Sequence, residues 1–199
     1  MVEKKLSHPQ RAVFLDRDGT INKYVGFLRD INDLELIPGV AEAIKRINES
    51  GFLAIVITNQ PVIARGEVTV DELNLIHAKM ETLLGAAGAY LDAIYYCPHH
   101  PDRRFEGEIE FLKIVCDCRK PKPELAFRAV NDFNIDLNNS IFIGDTDTDI
   151  QTAHNAHLAT AVLYKGVGSA PGCRNEGTSA DAVISSWSEI GDVRIDSIN

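Results

Sequence analysis

Two short polar segments contain side chains of the kinds that bind phosphate. Thr58, Asn59 and Gln60 offer a hydroxyl and two amides, which can meet phosphate oxygens without adding charge. Arg119 and Lys120 offer a planar fork and a compact charge for the same oxygens. Ordinary turn chemistry also explains the first segment, and a solvated basic turn explains the second. Each segment alone therefore leaves both interpretations open.

Acidic side chains at alternating positions suit a hard metal ion. Asp145, Asp147 and Asp149 follow the apolar segment Ile141–Ile143, and three such acids repel one another unless a cation or water neutralises them. Mg²⁺ commonly takes one or two carboxylates in proteins and keeps several waters. Helix N-capping by Asp accounts for one or two of these residues without any metal.

A second acidic pair follows an apolar segment near the start of the chain. Asp16 and Asp18 come directly after Ala12–Leu15 in the string FLDRDGTIN. A solvated Asp-Gly turn explains the pair alone at least as well as a site does, because Asp-Gly is a common turn. The unbroken passage from an apolar segment into Asp-x-Asp-Gly-Thr favours more than a turn.

Two closely spaced pairs of sulfur and imidazole side chains favour a second metal. Cys97 and His99 form a Cys-x-His pair in YYCPHHP, and Cys116 and Cys118 form a Cys-x-Cys pair in CDCRKPKP. Four such ligands suit tetrahedral Zn²⁺ and leave no position for water. We therefore predict a structural zinc that fixes the backbone just before the two cations of the RKP string.

The zinc prediction leaves several points open. His100 competes with His99 for the fourth position, and pairs in zinc fingers usually enclose at least two residues rather than one. Unligated small side chains are the alternative to a metal. Cys173 lies in a stretch rich in Gly, Pro and Ser and is interpreted as a free thiol.

Length, charge and composition restrict the class of protein. We interpret the 199 residues as one domain, 1–199, which contains the zinc loop at about 97–118. The net charge of −9 argues against a nucleic-acid partner, although a local basic cluster can still bind a small anion. The sequence contains neither a membrane-length apolar run nor an apolar signal segment. We therefore expect no membrane partner and a cytoplasmic location, where stable disulfides are rare.

Short apolar runs alternate with helical patterns along most of the chain. This alternation predicts an α/β fold with a central, mainly parallel sheet, in which ligands bind beyond the carboxyl ends of the strands. In the helix predicted over Thr69–Leu84, Thr69 and Glu72 have capping-box spacing, and one face carries Leu73, Ile76, Met80 and Leu83. The other predicted helices are Pro38–Ser50, Glu124–Phe133 and Asp147–Ala156. The predicted strands are Ala12–Leu15, Leu53–Ile57, Ala93–Tyr96, Ile141–Ile143, Thr160–Leu163 and Ala182–Ile184.

Taken together in chain order, the polar motifs resemble those of the haloacid dehalogenase superfamily of phosphatases. The four motifs are FLDRDGT, IVITN, the Lys of RKP and IFIGDTDTD, and the match covers most of the chain. The resemblance implies a Rossmann-like three-layer sandwich with a minimal cap. It also implies hydrolysis of phosphate monoesters through an aspartyl-phosphate, with Mg²⁺ as the catalytic cofactor.

The resemblance implies a role for each motif residue. Asp16 would attack phosphorus, and Asp18 would exchange protons with the leaving oxygen and with water, for which a raised pKa is expected. Thr58 and Lys120 would hold the phosphoryl oxygens. Mg²⁺ would bind the Asp16 carboxylate, the Asp18 carbonyl and Asp145. Asp149 would support Lys120 or the loop rather than the metal.

A narrower resemblance concerns the substrate. FLDRDGTIN, TNQ…IARG, YYCPHHP and CDCRKPKP together look like the D-glycero-D-manno-heptose 1,7-bisphosphate 7-phosphatases and the related histidinol-phosphate phosphatases. This implies a small phosphorylated sugar as substrate, screened by three loops, and a monomeric protein. The implied substrate contacts are Tyr24, Val25, Gly26, Phe27, Asn59, Gln60, Pro61 and, for the distal part, Arg119.

The chain departs from the subfamily pattern at two positions. Pro61-Val62 stands where many relatives have Ser-Gly, and Thr146 stands where many have a cation. Histidinol-phosphate phosphatase is therefore kept as the alternative, since the chemistry would be the same. A nucleic-acid 3′-phosphatase and a non-catalytic zinc-binding module are less favoured.

Overall fold

Six parallel strands form one sheet in the order β3-β2-β1-β4-β5-β6. The computed structural model describes residues 8–171 and 178–192, and all six strands predicted from the sequence lie within them. Cys173 lies outside the described residues. The strands are β1 (Ala12–Leu15), β2 (Leu53–Asn59), β3 (Ala93–Cys97), β4 (Ile141–Gly144), β5 (Thr160–Tyr164) and β6 (Ala182–Ile184).

Helices cover both faces of the sheet, because successive strand residues point to opposite sides. Val13 and Leu15 pack on the face covered by α1 and α3, whereas Ala12 and Phe14 pack on the face covered by α4 and α5. The predicted three-layer α/β sandwich is therefore confirmed. The helices are α1 (Val40–Glu49), α2 (Pro61–Ala64), α3 (Val70–Ala86), α4 (Glu124–Phe133) and α5 (Asp147–Asn155).

Helix α3 confirms one detail of the sequence analysis and corrects another. The Thr69 side chain accepts from the backbone of Glu72, and the Glu72 carboxylate accepts from Thr69, which is the predicted capping box. Leu83 was expected on the buried face but is 37% exposed, and Leu84 is buried instead. Leu84 follows Leu73 by eleven residues, close to three full turns, so it returns to the core side.

The connections beyond the carboxyl ends of the strands contain little regular structure. Between the end of each strand and the crossover helix that follows it, the described residues hold α2, which was not predicted, and the two 3₁₀ turns Ile31–Asp33 and Glu110–Leu112. The fold therefore has the minimal cap that was expected. None of the described helices has the length and apolar character that crossing a bilayer requires.

Strand β1 lies where the direction of strand order reverses, between β2 and β4. In sheets of this kind the ligand site lies at that position, beyond the carboxyl ends. Gly19 lets the loop after β1 approach β4 closely. Its φ is +82°, and a Cβ there would lie 1.9 Å from Oδ2 of Asp145. A side chain at position 19 would therefore push the two loops apart.

Candidate active site

A buried ammonium connects two of the carboxylates at the end of the sheet. Lys120 Nζ lies 2.8 Å from Asp16 Oδ1 and 2.6 Å from Asp149 Oδ1. The second oxygen of Asp149 accepts hydrogen bonds from the Thr146 backbone nitrogen and hydroxyl, at 3.0 and 2.6 Å. Asp149 thus supports Lys120 and the loop after β4, as the resemblance implied.

Asp145 adds a third carboxylate that only half satisfies its hydrogen-bonding capacity. Its Oδ2 accepts from the Ala170 backbone at 2.7 Å, whereas its buried Oδ1 has no partner. Oxygens of Asp16, Asp145 and Asp149 lie within 4.8 Å of one another. One ammonium does not balance three carboxylates, so this group fits a divalent cation with oxygen ligands such as Mg²⁺.

The pKa values of Asp145 and Asp16 reflect this excess of negative charge. Burial raises the pKa of Asp145 to about 8, and the neighbouring Asp16 charge contributes in the same direction. Burial also raises the pKa of Asp16 to about 6, although Lys120 opposes that change. A cation would hold both carboxylates in their ionised form.

The expected rise in the pKa of Asp18 is wrong. Burial by itself raises that pKa, but the Arg17 charge and hydrogen bonds from Gln60, Asn22 and Arg17 together bring it below the ordinary value. Arg17 Nη2 lies 2.9 and 2.7 Å from the two carboxylate oxygens of Asp18, and Arg17 Nε lies 3.1 Å from Oδ1. The sequence analysis missed Arg17, since it considered the middle position of Asp-x-Asp only as a spacer.

The polar segment at the end of β2 is used partly for internal support. Asn59 Oδ1 accepts from the Lys120 backbone nitrogen at 3.0 Å, and its Nδ2 donates to the Lys120 carbonyl at 3.2 Å. Gln60 Nε2 donates to Thr58 Oγ1 and to Asp18, each at 2.9 Å. Asn59 therefore fixes the backbone that presents Lys120, in addition to lining the cavity described next.

A cavity of about 250 Å³ opens beside the carboxylates. It brings together every residue predicted for catalysis, substrate contact or Mg²⁺ except Val25, which is 49% exposed and does not line it. Lining residues that the sequence analysis did not single out for substrate contact are Leu28, Val62, Thr146, Thr148, Asp149 and Ala170. No motif indicates Ala170, which lies in the segment after β5 and binds Asp145 through its backbone nitrogen.

The sulfur and imidazole side chains form a separate, closed cluster. The three Sγ atoms of Cys97, Cys116 and Cys118 lie 3.2 to 3.5 Å apart, and His99 Nδ1 lies 3.2 Å from Cys118 Sγ. Zn–S bonds of about 2.3 Å in a tetrahedron would place sulfurs about 3.8 Å apart, so only a small expansion is needed. Sulfur and imidazole donors of this kind fit zinc.

The structure selects between the two histidines at the end of β3. His99 joins the cluster, whereas His100 Nδ1 accepts from the Asp102 backbone at 3.2 Å. The cluster is also connected to the cavity, because Arg119 Nη1 donates to the His99 carbonyl at 3.3 Å and Arg119 lines the cavity. The backbone of one cluster residue thus helps to orient a cation at the site.

Comparison with known proteins yields relatives with similar sequences along the chain. A family model described as HAD-hydrolase-like matches residues 117–190. The D-glycero-β-D-manno-heptose-1,7-bisphosphate 7-phosphatase of Yersinia pestis is 40% identical over 154 residues, which cover 77% of this chain and 80% of that protein. The protein of the same name from Escherichia coli K12 is 39% identical over 180 residues, covering 90% and 91%.

A solved structure has the same fold. The D,D-heptose 1,7-bisphosphate phosphatase of B. bronchiseptica, crystallised with magnesium and phosphate, superposes with a TM-score of 0.80 at 27% identity. The match covers 95% of this chain and all of that one. Together with relatives near 40% identity along most of the chain, this shows that the chain belongs to the haloacid dehalogenase-like phosphatases and is a hydrolase of phosphate monoesters.

Proposed function

We propose that the chain is a Mg²⁺-dependent phosphatase that removes the 7-phosphate of D-glycero-D-manno-heptose 1,7-bisphosphate. The observation that supports this most is the joint position of Asp16, Thr58, Lys120 and Asp145 on one cavity. The names of relatives at 39% and 40% identity support the heptose substrate. Histidinol phosphate is the second candidate substrate.

The first half-reaction would transfer the phosphoryl group to Asp16. A carboxylate oxygen of Asp16 attacks phosphorus, the bond from phosphorus to the sugar oxygen breaks, and an aspartyl-phosphate forms. The Lys120 ammonium already lies 2.8 Å from that carboxylate, so it also lies next to the arriving phosphoryl oxygens. Thr58 completes the oxygen contacts through its hydroxyl.

Asp18 would move the proton in both half-reactions. It gives a proton to the leaving sugar oxygen, and then takes one from the water that releases phosphate from Asp16. The second role suits the ionised form that Arg17 favours. The first role requires a proton on Asp18, which an arriving phosphate monoanion can supply before the bond breaks.

Asp16, Asp145 and the Asp18 backbone carbonyl would hold Mg²⁺. When bound, the ion offsets repulsion between the Asp16 anion and the phosphate and stabilises charge on the transferring oxygens. Asp149 would remain with Lys120, to which it is already bound at 2.6 Å. Zn²⁺ would be a structural ion held by Cys97, His99, Cys116 and Cys118.

The lining of the cavity favours a doubly phosphorylated sugar over an amine. Among the described residues that line it, the carboxylates are Asp16, Asp18, Asp145 and Asp149. The proposed mechanism already uses all four. Histidinol phosphate would need a further anion to meet its ammonium. Arg119 instead offers a cation that suits a second phosphate.

A substrate panel tests the proposal. We would measure phosphate release, with Mg²⁺ present, from both anomers of heptose 1,7-bisphosphate, histidinol phosphate, fructose 1,6-bisphosphate and a 3′-phosphorylated oligonucleotide. We expect a preference of at least about 100-fold in kcat/KM for one heptose anomer, equivalent to about 2.7 kcal/mol. A preference for histidinol phosphate would keep the mechanism and overturn the substrate. Chelation by EDTA should stop release, and added Mg²⁺ should restore it.

Three broader expectations remain predictions. We propose that residues 1–199 form one domain that contains the zinc loop at 97–118, that the protein is a monomer, and that it acts in the cytoplasm. Gel filtration with light scattering and fractionation of cells would test the last two.

A further inference from the structure

We propose that His77 is a positioning residue for this reaction, which holds the Arg17 guanidinium in the orientation that places the Asp18 carboxylate at the cavity. The inference rests on the proposed function, in which Asp18 exchanges protons with the sugar oxygen and with water. His77 does not line the cavity, so it acts through Arg17 rather than on the substrate.

Arg17 is a fully buried cation whose three side-chain nitrogens all have partners. Its Nε and Nη2 bind the Asp18 carboxylate, and Nη2 also donates to Gln60 Oε1 at 3.0 Å. Its Nη1 lies 3.2 Å from His77 Nε2. A guanidinium without solvent exposure needs acceptors around the edge of its plane, where its N–H groups point, because an unpaired buried donor is costly.

The chemistry of Arg fixes the role of the histidine. A guanidinium only donates, so His77 Nε2 must accept, which requires a neutral ring with its proton on Nδ1. Burial, helped by the Arg17 charge, lowers the pKa of His77 to about 4. The ring is therefore an acceptor at neutral pH.

Packing holds the imidazole in place. His77 is 6% exposed on α3, and its ring tilts against Tyr96 at a centroid distance of 6.0 Å. It approaches Arg17 from the side opposite Asp18, so the guanidinium is bound at both ends. With that acceptor removed, the guanidinium can rotate or recruit water. The hydrogen bonds from Asn22 and Gln60 are then the fixed contacts that remain to the Asp18 carboxylate.

Two substitutions separate positioning from packing. His77→Leu removes the acceptor but leaves an apolar side chain in the buried position. His77→Gln restores an acceptor oxygen near the position of Nε2. We expect kcat on the preferred sugar phosphate to fall about 10- to 100-fold in His77→Leu, with KM within about twofold, and to recover to within about fivefold in His77→Gln.

The leaving group gives a second readout that mere loss of stability would not change. Nitrophenolate leaves without protonation, so the rate of the nitrophenolate burst from 4-nitrophenyl phosphate depends little on Asp18 as an acid. We expect His77→Leu to slow phosphorylation by the sugar phosphate at least about fivefold more than it slows this burst. Ile76→Val, one position away on α3 and buried in the apolar cluster with Met80 and Leu84, serves as the control and should slow both equally.

Each outcome decides the proposal. Equal losses on the two substrates, or no recovery in His77→Gln while thermal melting shows both variants folded, would overturn it. The sugar phosphate used is the one that the unmodified enzyme prefers in the panel above, so an error in the substrate assignment does not affect this test. If the unmodified enzyme hydrolyses neither ester, the proposed function fails, and with it the role of His77.

Discussion

The two ligand groups at the end of the sheet are assembled in different ways. The carboxylate group takes Asp16 from the end of β1, and Asp145 and Asp149 from the segment after β4, about 130 residues later. The Cys/His group takes all four side chains from residues 97–118. The first group requires the pairing of β1 with β4, whereas the second is a local feature of the end of β3 and the loop that follows it.

Their surroundings differ as well. The carboxylate group lies beside a cavity of about 250 Å³, and one oxygen of Asp145 has no partner. In the Cys/His group, Cys97 and Cys118 are buried, and the ligand atoms already face one another. A metal in the first group has room for substrate, while a metal in the second has all positions filled by protein. This difference supports the proposal that the open group serves chemistry and the closed group serves structure.

The largest effect should come from the nucleophile. Asp16→Asn keeps the shape of the side chain but removes the anion that attacks phosphorus, so kcat should fall at least about 1,000-fold. Phosphate release from the preferred substrate would measure this, and thermal melting would show that the fold persists. Activity within about tenfold of the unmodified enzyme would mean that the nucleophile is another residue.

A double substitution in the closed group tests the other half of the comparison. Cys116→Ser with Cys118→Ser should abolish zinc binding and lower kcat/KM about 10-fold or more, because Arg119 and Lys120 follow directly in the chain. Zinc content by atomic emission and activity under saturating Mg²⁺ would be measured together.

The control for that variant lies between the two cysteines. Asp117→Asn changes an exposed side chain that is bound to Lys122, and should leave both zinc and activity intact. Loss of zinc in the double variant without loss of turnover would refute a role for the cluster in aiming the cations.

A smaller effect is expected at Asn59, whose side chain binds the backbone of Lys120. Asn59→Ala removes both hydrogen bonds to the backbone of Lys120, at 3.0 and 3.2 Å, and should lower kcat about 10-fold by loosening the ammonium. Asn59→Asp keeps the acceptor but turns the donor into a charged oxygen that faces the Lys120 carbonyl, so its loss should be at least as large. If Asn59→Ala keeps activity within about twofold of the unmodified enzyme, the hydrogen bonds from Asn59 to the Lys120 backbone do not matter for turnover.

Sequence patterns predicted the parts of the fold that rest on local rules. All six strands and four of the helices were expected from apolar runs and periodicity, because burial on both faces of a parallel sheet gives short apolar strands. The four-residue helix α2 gives too short a periodic signal to be seen. Leu83 and Leu84 are adjacent leucines, and only the observed helix phase decides which one is buried.

The candidate site was predictable in its residues but not in its electrostatics. Motif order indicated Asp16, Lys120 and Asp145, since parallel strands end at one edge. The lowered pKa of Asp18 depends on where the buried fork of Arg17 points, and a sequence contains no such direction. For the same reason His77, sixty residues from Arg17, gave no signal beyond a polar side chain on an apolar helix face.

The smallest effect should arise away from both groups, at the start of α3. Thr69→Ala removes the capping box with Glu72, and should lower the free energy of unfolding by about 1 kcal/mol. The cap is exposed and lies outside the cavity lining, so kcat and KM should stay within about twofold. Urea unfolding measures the first quantity and the phosphatase assay the second. A fall in kcat larger than about fivefold would mean that α3 transmits the state of its first turn to His77 and Arg17, so that the open group depends on a wider part of the fold than the residues around its cavity.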